Sequence, residues 1–143
     1  MFSDWLYNFS VWVLPVSTAI TMHEAAHGYV AFKLGDDTAK KLGRVSFNPF
    51  KHIDILGTII IPAILLLTQL SFLFGWAKPV PVCFNKLRVP NRDMIFVAFS
   101  GPAINLIIAF FCGFMLHIVN IMPNTIENWL IENLQNAIFI NIM

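Results

Sequence analysis

Residues 94–122, MIFVAFSGPAINLIIAFFCGFMLHIVNIM, contain no Asp, Glu, Lys or Arg. A bilayer core about 30 Å thick is crossed by about 20 helical residues, so this stretch is long enough to span with tilt. Two other stretches are of similar length. Residues 8–34 are long enough as well, although His23, Glu24 and His27 interrupt them near their middle and Lys33 near their end. Residues 53–74, IDILGTIIIPAILLLTQLSFLF, carry one charge, Asp54, at their edge, and Pro62 inside them predicts a kink of the kind that membrane helices tolerate. A fourth apolar run starts near Trp129 and reaches Met143, which is short for a full crossing. The expected fold is an all-α membrane protein. It is one domain over residues 1–143, a multi-pass bundle with three full transmembrane helices, part of a fourth, and short extended loop segments.

Composition agrees. The chain is 57% hydrophobic and 12% charged, with mean hydropathy +0.71, whereas soluble domains are about one quarter charged. A net charge of +1 provides no basic field for nucleic acid and no acidic tail. Cys83 and Cys112 are far apart and form no CxxC, so neither a cysteine zinc site nor a disulfide framework is expected. The N-terminus lacks the basic region of a secretory leader, and Trp5, Tyr7 and Trp12 suit an interfacial aromatic belt.

Residues 35–52 and 75–93 join the apolar stretches. Val45 and Phe47 alternate with Ser46 and Asn48, which suggests a short extended segment. Pro79 and Pro81 also impose extended backbone but cannot donate to a ladder, so residues 78–82 form an edge at best. Both loops are basic. One simple span between them would put them on opposite sides of the membrane, in conflict with the positive-inside rule. Either one loop re-enters the membrane, or charge does not set orientation.

The chemistry is concentrated in His23-Glu24-Ala25-Ala26-His27, an HExxH. On a helix, positions i and i+4 share a face, so both imidazoles can reach one metal ion. Catalytic zinc keeps one coordination position for water, and Glu24, beside the first ligand, is placed to take that water's proton. Ionisable groups inside an apolar helix are costly and are functional candidates by default. Two surface histidines, a bis-histidine haem site and a di-iron centre are the competing readings. The first ignores the apolar flanks, the second leaves Glu24 without a role, and the third needs several histidine boxes, where only the singly placed His52 and His117 are present.

The series HEAAHG, GRVSFNPFKHIDILGTIIIP, FGWAKPVPV and RDMIFVAFSGPAIN resembles the site-2 protease family in its compact bacterial form, and covers about residues 16–109 in the family's order. The resemblance implies a zinc-dependent intramembrane endopeptidase in a cell membrane, the bacterial inner membrane. Its partners would be membrane-protein or peptide substrates and the lipid bilayer, without nucleic acid. It implies zinc ligation by His23 and His27 and general-base catalysis by Glu24. Gly101-Pro102-Ala103-Ile104-Asn105 matches a family helix start, for which close helix packing is an equal explanation. His52 and Asp54 fall in a segment expected to act as a loop-to-helix cap. The extended loops suggest an edge, at residues 44–48 or 78–82, that holds unwound substrate by strand addition.

The family's third ligand is an aspartate in a DG motif, and these residues contain no Asp-Gly pair. The expectation is a C-terminally truncated enzyme whose third ligand comes from a partner chain or a missing C-terminal segment. A catalytically inactive remnant or membrane-binding module remains the alternative, as does a small transporter subunit with a metal site.

Overall fold

The computed structural model describes residues 2–61, 64, 68, 77–119 and 124–143. Its helices are α1 (Phe2–Lys33), α2 (Thr38–Lys41), α3 (Pro90–Val119) and α4 (Asn124–Ile142). Pro49–Lys51 and Phe84–Lys86 form single 3₁₀ turns, and Ile55–Ile60 forms a π-helical segment. The described residues contain no strand. The long helices α1, α3 and α4 pack against one another pairwise.

Helix α3 is long and apolar enough to cross a membrane, alone among the described helices. Phe96, Phe99, Leu106, Phe110 and Phe111 stand exposed along it, as expected of a face that meets lipid rather than water. Helix α1 has the length, with 32 residues, but carries the ionisable cluster in its second half. The expected span over residues 53–74 lies largely outside the described residues, but its flanks are described. The Lys78 amide donates to the His52 carbonyl at 2.9 Å. The two ends of that stretch therefore lie side by side, and of the three expected full spans only α3 qualifies by length and composition among the described helices.

The same contact removes the charge conflict. All nine lysines and arginines lie between Lys33 and Arg92, and the structure gathers both loops at one end. The Arg88 amide donates to the Leu34 carbonyl at 3.0 Å, and the Cys83 amide donates to the Asp36 carboxylate at 2.5 Å. There α1 closes in a Schellman turn. The Asp36 amide reaches the Ala31 carbonyl, the Gly35 amide reaches the Phe32 carbonyl, and Gly35 takes φ +114°, which a side chain resists. Beneath this end Ala31, Leu87 and Val97 form a small buried core, with Val30, Leu34 and Val82 against it. Asp93, fully buried, reaches back to the Val89 amide at 2.9 Å and starts α3 at Pro90. Asp54 caps the Ile55–Ile60 segment: its carboxylate accepts from the Gly57 amide at 2.8 Å, while its own amide donates to the Thr58 hydroxyl.

Candidate metal centre

His23 and His27 lie one turn apart on α1, and their rings meet edge to face with centroids 4.7 Å apart at 83°. Helix α3 runs past them at Gly101. A Cβ built on Gly101 would fall 2.5 Å from His23 Nε2 and 2.6 Å from His27 Nε2. Both Nε2 atoms therefore lie close to one point beside α3, an approach that a side chain at residue 101 would block. Any other residue there would displace the rings.

The tautomer of His27 follows from its neighbour. Its Nδ1 lies 2.7 Å from the Val97 carbonyl oxygen. That oxygen can only accept, so Nδ1 carries the proton and Nε2 keeps its lone pair. Such a carbonyl is a usual outer partner of a metal-ligating histidine. The Ser100 hydroxyl donates to the same carbonyl at 2.7 Å and lies 3.3 Å from His27 Nδ1. On the other ring, Asn105 lies beside His23, but its Oδ1 is buried with no hydrogen-bond partner.

Glu24 occupies the neighbouring face of the same turn. Its Oε2 accepts from the Val80 amide at 2.7 Å. Val80 is buried, and a Cβ on Gly28 would come within 3.0 Å of both its Cγ1 and Val45 Cγ2. Gly28 thus lets residues 77–83 settle onto α1 and bring an amide to Glu24. Val80 turns inward while Pro79 and Pro81 line an open groove of about 580 Å³ with Phe50, Ile53 and Lys78. This alternation belongs to extended backbone. As a strand edge the segment is one-sided: Pro79 and Pro81 have no N–H, and the Val80 N–H is already bonded to Glu24.

The other sequence candidates fall elsewhere. His52 is buried with Nε2 at 2.9 Å from the Ser46 carbonyl, and it does not join His23 and His27. His117 is exposed near the far end of α3. Among the described residues no third His, Cys, Asp or Glu joins His23 and His27. The residues present fit a divalent cation as two imidazole ligands with an adjacent carboxylate, and Gly101 lets both rings lie close against α3.

The chain is 46% identical over 104 residues, 73% of its length, to the protein named "Putative zinc metalloprotease YwhC" of Bacillus subtilis (strain 168). This chain belongs to the site-2 protease-like family. It spans 44% of that curated relative. No family model matches the chain, and no solved structure matches it.

Sequence reading alone does not reach the Val97 carbonyl or the Val80 amide, because backbone groups leave no mark in residue identity. Gly101 and Asn105 were in view through the GPxxN segment, though packing was an equal account of them.

Proposed function

We propose that the chain carries the core of a zinc-dependent intramembrane endopeptidase that cuts membrane-embedded peptide substrates. The observation that supports this most directly is the convergence of His23 Nε2 and His27 Nε2 on one point beside Gly101, with a restrained carboxylate on the adjoining face. Zinc, when bound, supplies a Lewis acid for a peptide carbonyl and makes water acidic enough to deprotonate near neutral pH. His23 and His27 would hold it through Nε2. The Val97 carbonyl keeps the His27 ring oriented and in the right tautomer. Glu24 is the general base. With Oε2 tied to the Val80 amide, Oε1 takes the proton from water and returns it to the leaving amine. The third ligand is contributed by a C-terminal segment or a partner chain.

The site lies six residues before Lys33 on α1, about 9 Å along the helix axis at about 1.5 Å per residue. It is therefore sunk below the basic end of the molecule. By the positive-inside rule that end is cytoplasmic, in a multi-pass protein of the bacterial inner membrane. A substrate helix keeps its carbonyls in its own hydrogen bonds and has to unwind to reach this depth. Residues 79–81 would receive the unwound stretch as acceptors, through their carbonyls.

The test is Glu24→Gln in a form of the protein that cleaves a membrane peptide. Glutamine still offers an oxygen to the Val80 amide but takes no proton. Cleavage is expected to fall by about 10²–10⁴-fold, the usual worth of a general base, with zinc content unchanged. Cleavage at the normal rate would remove Glu24 from the reaction. A second reading, a zinc-holding membrane module without turnover, is favoured by the lack of a third protein ligand among the described residues. Bound zinc without cleavage, once a third carboxylate is supplied, would establish it.

A further inference from the structure

We propose that Asn105 is the positioning residue for His23: its Oδ1 accepts the N–H of His23 Nδ1 and so presents Nε2 to the metal. This inference rests on the metal reading above. The two rings are held unequally. His27 Nδ1 is bonded to the Val97 carbonyl. His23 also directs Nε2 at the point beside Gly101, but among the described residues no backbone carbonyl holds its other nitrogen. Helices α1 and α3 run antiparallel, so stepping back one turn on α1 from His27 to His23 means stepping forward along α3. There stands Asn105, one turn beyond Gly101 and on the same face. It lies beside His23. Its Oδ1 is buried without any partner, in a helix otherwise so apolar that a leucine would suit the position. A buried acceptor left unpaired costs stability, so one that persists beside an imidazole has a use. A carboxamide oxygen on the non-ligating nitrogen supplies the same restraint to His23 that the Val97 carbonyl supplies to His27.

The experiment is a Co²⁺ titration of the full chain in detergent micelles, read by affinity and by the visible d–d bands. The variants are Asn105→Ala, Asn105→Leu and Asn105→Asp, with His23→Ala as the ligand control. Leucine fills the volume without an acceptor, which keeps the test usable if the alanine variant fails to fold. Aspartate keeps an acceptor at the same place. The alanine and leucine variants are expected to bind Co²⁺ about 10–100-fold more weakly, the usual effect of losing an outer-shell partner. Aspartate is expected to restore affinity with unshifted bands. The assignment is overturned if alanine and leucine bind with unchanged affinity and spectrum, or if aspartate fails like them, which would mean that the side chain only packs. Shifted bands in the aspartate variant would also overturn it, since residue 105 would then ligate directly. If the unsubstituted chain takes up no Co²⁺, the metal reading itself falls and this inference falls with it.

Discussion

The two halves of α1 treat polar groups in opposite ways. In the first half they pair off against α4. The Tyr7 hydroxyl bonds to Glu132 at 3.1 Å, the Trp129 indole N–H donates to the Ser10 hydroxyl at 2.8 Å, and Asn136 Nδ2 donates to the Val11 carbonyl at 2.9 Å. Trp12 packs edge-on against Phe139 beside them. These bonds join two helices. In the second half, facing α3 and the 77–83 segment, two ionisable groups, His27 and Glu24, are each tied at one atom. His27 is held at Nδ1 and directs Nε2 into shared space, and Glu24 is held at Oε2. Polar residues of α1 thus fall into two arrangements. Groups of the first half join two helices, and His27 and Glu24 in the second half are each held by a single backbone group.

The largest effect is expected where that shared space is filled. Gly101→Ala places a methyl within 2.6 Å of both Nε2 atoms, and divalent metal affinity measured by titration should fall at least 100-fold. Gly113→Ala on the same helix meets nothing within 4 Å and should leave metal binding untouched. Both changes favour the helix by up to about 1 kcal/mol, and thermal unfolding of the metal-free variants separates lost metal binding from the packing cost of the new methyl at residue 101. If both variants bind metal normally, the contrast between the halves of α1 has no chemical content.

A middle-sized effect is expected at the basic end that carries Val80. Asp36 is fully buried, and its carboxylate accepts from the Thr38 hydroxyl and amide and from the Cys83 amide. Burial pushes this carboxyl up, but the bonds from Thr38 and Cys83, with Lys86 nearby, outweigh it and hold it below its ordinary value. A depressed carboxyl stabilises the fold fully above its unfolded value of about 3.9, and that contribution disappears as pH falls through the lower folded value. Protection of the Cys83 amide from hydrogen exchange, measured against its intrinsic rate at each pH, should therefore fall on acidification below about pH 4. Asp36→Ala should remove this pH dependence and cost about 1–3 kcal/mol by leaving the amide unpaired. Protection insensitive to acid would detach this loop from Asp36.

The smallest effect is expected in the first half of α1. Trp129→Phe, which removes the donor to Ser10, should cost about 0.6 kcal/mol, the average for a hydrogen bond between membrane helices, and should leave metal affinity unchanged. Altered metal binding in this variant would mean that the two halves are coupled.

What was legible in the sequence follows the same division. HExxH is a statement about side chains one turn apart, and helical periodicity carries it directly into space. The uncharged run of α3 is equally direct. The stretch between His52 and Lys78 is less direct, because apolar length does not tell where its two ends lie; the Lys78–His52 hydrogen bond brings them together. The strand-edge expectation for residues 78–82 is not met by a strand among the described residues, and the Val80 amide that such an edge would offer is taken by Glu24. That Gly101 clears space for two imidazoles depends on how α3 meets α1, and spacing within either helix is silent about that.

The central claim is that His23 and His27 hold one ion between them. Zinc-edge X-ray absorption of the zinc-loaded chain tests it most directly. The account predicts two imidazole nitrogens at about 2.0 Å, lost together with the zinc when both histidines are changed to alanine. A zinc spectrum without imidazole scattering, or one unaltered by those substitutions, would contradict it.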